Sequence, residues 1–370
     1  MRLVVVADIV KRVIAGLIGV IIISIMLMIL SPVARDVIYA VFPPKNAPTV
    51  AYGKLEQLTF IEKKLINPNP KYTLNTKDGK LPTNLDAVMR VFKYKEPPFS
   101  FDAGKKAQAD AKLLGFEDKD LLTDLKNDQY TWRDTNFGGV LDINITTKTI
   151  KLTTPINTLD SYYLEGKLTK AQAIKIATSL FGELDRFNDP LYQNGSQAAV
   201  LGKFNRNGIV AADATLEAQI ARVDFFRSIF KIPILGPDAK KGNLHAFVRV
   251  PEKNSPQLNV PKLEAYYWEV DFEKFATYPV ISVVDAWNQV AQNKGVVSSI
   301  VEVNGSPFED YTPINVDEIL INNIYLAYYD NSMPQQYLQP IYVFEGNFTG
   351  RTRGDITLYY PAIPAQYISK

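Results

Sequence analysis

The chain reads as an α+β protein with an N-terminal transmembrane helix, on three observations. An uncharged apolar run, VIAGLIGVIIISIMLMIL, fills residues 13–30. Apolar residues at helical spacing follow capping residues at Thr169 and Ser282. After each of these helices, apolar and polar residues alternate, the pattern of a half-buried sheet.

Eighteen apolar residues are about the shortest run that crosses a hydrocarbon core of roughly 30 Å. Arg2, Lys11 and Arg12 precede the run with one acid, Asp8, which predicts a cytoplasmic N-terminus and an extracytoplasmic remainder. A cleavable signal peptide ends in an A-x-A pattern. SPVARD follows instead, so a retained single-pass plasma-membrane anchor is expected over residues 1–42. PPKNAPTVAY (43–52) then reads as a linker, since its prolines favour extended backbone.

Three units are expected beyond the linker. The first, 53–160, has strand patterns at 72–82, 87–95, 129–134, 140–145 and 149–154, with a helix at 103–116 stopped by Gly115. The second, 161–275, has a capped helix over 170–187 and strands at 214–227, 244–250 and 264–272. The third, 276–370, starts its helix at Ser282, ends it at Gly295, and continues in strands at 316–330, 339–348 and 355–363. Sliding the third unit onto the second matches Ser282 with Thr169, Ala286 with Ala173 and Gly295 with Gly182, which reads as an internal duplication. Each unit is expected to lay one helix on an antiparallel sheet.

Composition excludes several classes. With 370 residues, 46% of them hydrophobic, the chain has ample material for large cores. It has no Cys and one His, which removes disulfides, thiol catalysis and Cys-ligated metals. Lys and Arg number 41 against 39 acids, so no charge excess draws nucleic acid. Neither G-x-x-x-x-G-K-[ST] nor G-x-G-x-x-G occurs. Ser228 and Lys231 fit S-x-x-K, but they follow a strand pattern and neither S-D-N nor K-T-G comes after. Glu117, Asp118, Asp120, Asp124 and Asp128 lack the Gly and Glu of a calcium loop, with Thr123 and Gln129 at those places. His245 shares a strand face with Phe247, a packing position. No catalytic residue, cofactor or metal is expected.

The aromatics are the more informative set. In the third unit Tyr325, Tyr329, Tyr342, Phe344 and Tyr359 form a candidate interaction face. Tyrosine supplies contact area at small entropy cost and keeps a hydrogen-bonding tip. The competing expectation is that these rings pack against the second unit.

LTKAQAIKIATSLFG (168–182), with its capped start, Ala/Ile pairs and small closing residue, resembles the helix of a PepSY module. The layout of one N-terminal span followed by such units is similar to the YycH/YycI type of single-pass membrane-anchored regulator. TVAYGKLEQLTF (49–60) and YLQPIYVFEG (337–346) also resemble an uncharacterised bacterial family of single-pass membrane proteins. The Asp and Thr-Gly turn that usually end a PepSY module are missing after EAYYWEVDF. The resemblance implies a non-enzymatic envelope protein that binds or regulates another membrane or secreted protein. A structural part of an envelope assembly, a ligand sensor and an envelope hydrolase are the other readings.

Overall fold

Strand pairing dominates the computed structural model of the chain: among the described residues 41% are strand and 18% helix. The structure describes residues 48–96, 100–122, 128–156, 168–206, 208–212, 217–250, 256–266, 268–303 and 305–369. Residues 49–370 form one contact unit.

The strands in chain order are β1 Lys71–Leu74, β2 Val88–Tyr94, β3 Gln129–Arg133, β4 Val140–Asn144, β5 Ile150–Thr153, β6 Ser196–Asn205, β7 Gly208–Ala211 and β8 Ile220–Ile229. They continue as β9 Ile232–Leu235, β10 Leu244–Arg249, β11 Lys262–Ala265, β12 Val270–Pro279, β13 Val296–Glu302, β14 Val316–Tyr329, β15 Tyr337–Gly350 and β16 Arg353–Pro361. The helices are α1 Ala103–Leu113, α2 Lys170–Glu183, α3 Pro190–Gln193, α4 Pro256–Asn259 and α5 Val283–Gln289. One path of paired strands runs β12-β2-β15-β14-β9-β8-β10-β11-β5-β4-β3, with β6 and β7 beside β8, β16 and β13 beside β15, and β1 beside β14.

The path has two halves. In the first, β3, β4, β5, β11, β10, β8, β6 and β7 pair antiparallel. Alternation turns Leu141, Leu152, Leu263, Ala246 and Val223 to one face, where α1 and α2 close the core with Ala107, Ala111, Ala173, Ala177 and Phe181. The start of α2 is set by Thr169, whose Oγ1 accepts the Gln172 N–H at 3.1 Å while Gln172 accepts the Thr169 N–H at 3.0 Å. Such a cap contributes about 1 kcal/mol. In the second half, β14, β15 and β16 are long antiparallel strands, with β1 parallel to β14. The β8–β9 hairpin joins the halves: Phe230 and Lys231 take φ of 50° and 68° in its turn, and β9 then runs parallel to β14.

This corrects the expected α+β class with repeated PepSY-like units. Strands of the three expected spans share one path: β5 pairs with β11, and β2 pairs with both β12 and β15. The α5 helix is only 7 residues long. Beside its Val283 and Trp287, the loop residues Leu65, Leu81, Leu85, Tyr311 and Ile314 pack on the same core. Trp268 explains one boundary. Its indole donates to the Asn331 carbonyl at 3.1 Å and its own carbonyl accepts from Arg227, which breaks EAYYWEVDF into β11 and β12 on different halves. The expected N-terminal transmembrane helix finds no support among the described residues. The apolar run 13–30 lies outside the described residues. Among those described, no helix is long and apolar enough to cross a membrane.

Candidate functional site: a cleft between the two sheet halves

The five aromatic candidates do not make one face. Tyr325, Tyr329 and Tyr359 lie on one side of the β14–β16 sheet, with Leu58, Phe60 and Leu235 packed against them. Tyr342 and Phe344 lie on the other, with Ile281 and Trp287. Tyr329, Tyr342, Phe344 and Tyr359 are all buried, and Tyr325 is half-buried. Three hydroxyls are tied to backbone, Tyr329 donating to Thr59 O at 3.1 Å, Tyr342 to Ile281 O at 2.7 Å and Tyr359 to Gly236 O at 3.0 Å, while Tyr325 donates to the Glu345 carboxylate at 3.3 Å. Burial pushes the Tyr342 hydroxyl up to about 12. These rings hold the core.

Other sequence candidates are also occupied structurally. Ser228 donates its hydroxyl to the Asn194 carbonyl, and Lys231 sits exposed at the hairpin turn. His245 is buried, with Nδ1 2.8 Å from Gly242 O and Nε2 3.9 Å from Glu264. Burial lowers its pKa against the pull of Asp224 and Glu264. Glu117 and Asp120 cap a short 3-10 turn, and Asp118 pairs with Lys112 at 3.0 Å. Asp124 lies outside the described residues. Among the described residues no group of three or more His, Cys, Asp and Glu is placed to hold a metal.

What the sequence reading passed over is the space between the halves. A cleft of about 790 Å³ separates β6 and β8 from β13 and β16. Ala198, Val200, Phe226, Leu235, Val301 and Pro307 give it apolar walls. Asp224, Lys231, Lys240 and Asp355 also line it, and its two arginines, Arg222 and Arg227, are locked to neighbours. Arg222 Nε donates to Asp224 at 2.9 Å, and its two terminal nitrogens hold Pro307 O and Lys240 O at 2.6 and 3.0 Å. Arg227 bridges Asp189 at 3.0 Å and Asp330. Tyr94 Oη and Asn243 Nδ2 also donate to the Asp330 carboxylate, both at 2.7 Å. This latch ties α3 and β8 to the end of β14 and to β2, so it sets the spacing of the halves.

One wall of the cleft is the face that β6 and β8 share, and the outer edge of β6 beside it is only partly paired. β8 pairs with β6 from Ser196 to Gly202, but β7 pairs only from Gly202 to Asn205. The Ala212 N–H reaches Leu201 O at 2.9 Å and ends that contact. Alternation turns the backbone groups of Gln197 and Ala199 to the same side as that carbonyl. Among the described residues, no strand pairs with Ser196–Val200 on this side. Ser196, Ala198 and Val200 line the cleft itself.

Of the strands around the site, the β6–β7 hairpin and β13 are not among those the sequence predicts. The first carried a signal: Asn207-Gly208, a favoured hairpin turn, sits between SQAAVLGKF and IVA. The second, VVSSIVE after Gly295, is a short β-branched run of the kind that marks a buried strand.

No family model matches the chain, and no curated protein matches it. Neither comparison adds support to the PepSY resemblance. Among solved structures, an uncharacterized protein from Eubacterium rectale ATCC 33656 aligns over 80% of this chain and 90% of its own length. The identity is 11% and the TM-score 0.36, a likeness too low to carry an argument.

Proposed function

We propose that the chain is a non-enzymatic binding protein that holds an extended segment of a protein partner against β6. The observation behind this is that, among the described residues, no strand pairs with the outer edge of β6 over Ser196–Val200, beside an apolar cleft. An added strand takes main-chain hydrogen bonds from an open edge, while a cleft beside it selects alternate side chains. A small-molecule pocket has no need of a bare edge. An exposed edge also carries an aggregation hazard unless something covers it. The extracytoplasmic face of the plasma membrane is proposed as the location, on the sequence of the first 42 residues alone. The partner is then a membrane or secreted protein that this chain regulates or scaffolds.

The test is in-cell photo-crosslinking with a reactive residue at Ala198, against a control at the exposed Lys105 on α1. One polypeptide captured at Ala198 and not at Lys105 supports the reading. Equal capture at both positions, or none at Ala198, sinks it.

A further inference from the structure

The cleft continues into a smaller pocket of about 210 Å³ that shares Arg222, Lys240, Ser299, Val301 and Pro307 with it. Lys241 lines this pocket, half-buried. Most cations around it are already neutralised. Lys63 pairs with Asp238 at 2.6 Å, Arg222 with Asp224 at 2.9 Å and Lys240 with Glu345 at 3.4 Å. The Lys241 ammonium is different: among the described residues it has no hydrogen bond and no ion pair. Burial pulls its pKa down, and Arg222, Lys262 and Lys63 add to that against Asp238. A charged amine taken from water without a counter-ion is costly, and an arriving anion relieves that cost.

The same geometry limits what fits. Glu302, Glu309 and Asp310 also line the pocket, and they repel a multiply charged anion more than a singly charged one. Arg222 fixes the entrance by holding the Pro307 and Lys240 carbonyls together. Three of its five N–H donors are spent on Asp224 and these two carbonyls.

We infer that the pocket beside Lys241 receives a single carboxylate, supplied by an acidic residue or chain end of the segment bound in the cleft, or by a small free carboxylate. The first source rests on the strand-addition reading above; the pocket itself does not.

Two dye-labelled, capped pentapeptides of alanine and valine test it, one ending in glutamate and one in glutamine, titrated by fluorescence anisotropy against the full chain. The glutamate peptide is expected to bind about tenfold tighter, which corresponds to ~1.4 kcal/mol. Lys241→Met brings that ratio close to one, and Lys241→Arg keeps part of it. Equal binding of the two peptides, or a ratio unchanged by Lys241→Met, overturns the inference while leaving the cleft reading standing. Acetate and inorganic phosphate are added alone to the reductively ¹³C-methylated protein, and the Lys241 resonance is followed. A saturable acetate shift with neither peptide bound keeps the pocket for a small free carboxylate and removes the strand-addition reading. A response to phosphate as strong as to acetate contradicts the single-charge argument, and no response to any probe overturns the inference entirely.

Discussion

Replacing Arg227 with methionine tests whether a buried ionic latch holds the two sheet halves together. The Arg227, Asp189 and Asp330 side chains are 2%, 4% and 0% exposed, so none is compensated by solvent. Arg227→Met leaves two carboxylates in the interior. Asp189 keeps the Leu191 N–H at 2.9 Å, and Asp330 keeps Tyr94 and Asn243. Neither keeps a counter-charge from this pair. Removing one partner of a buried pair costs ~3–5 kcal/mol, chiefly because the abandoned charge stays buried. The Trp268 carbonyl also loses its donor, which adds about 1 kcal/mol. A total of ~4–6 kcal/mol is a large part of the ~5–15 kcal/mol that usually holds a domain. Urea unfolding followed by tryptophan fluorescence measures it. Lys105→Ala is the control, because Lys105 and Asp102 are 83% and 78% exposed and such pairs are worth ~0–1 kcal/mol. An Arg227→Met midpoint within error of Lys105→Ala refutes the reasoning.

Three further outcomes follow from named contacts. Gly195→Ala places a Cβ 1.8 Å from the Phe226 carbonyl oxygen, so overpacking at the β6–β8 junction is expected to cost ~3 kcal/mol in the same urea assay. Thr169→Ala removes the cap of α2 and lowers stability by ~1 kcal/mol, while Thr169→Ser leaves it within a few tenths. His245 titrates below its ordinary value of 6.5 in the folded chain. The unfolded chain therefore binds the proton first as pH falls below about 6.5, and the native state loses stability there. The facing groups are Asp224, Glu264 and Lys241. A urea midpoint that stays flat below pH 6.5 in wild type, or falls equally in His245→Gln, contradicts this.

Local signals were legible in the sequence and pairings were not. Thr169 and Ser282 cap helices where their side chains pointed, since a cap is settled within four residues. The period-2 runs at 316–330, 339–348 and 355–363 became β14, β15 and β16 for the same reason. Alternation also put Tyr329 opposite Tyr328, correctly. It had no means of showing that both faces are covered, because Phe60 comes from 269 residues upstream and Trp287 from a helix on the far side. The α+β expectation failed at the same level: α1, α2 and α5 were expected, though not the single-turn α3 and α4, and the number of strands sharing one path depends on contacts such as Lys262 with Thr153. The cleft was invisible because its walls, β6 and β13, are distant in sequence and meet only through the hairpin that joins the halves.

Residue-resolved amide hydrogen exchange on β6 tests the open edge most directly. Gln197 and Ala199 are predicted to exchange near the rate of unstructured peptide, while Ala198 and Val200, turned toward β8, exchange orders of magnitude more slowly. Protection of Gln197 and Ala199 equal to that of their neighbours would mean the edge is already paired, and the strand-addition account would fall.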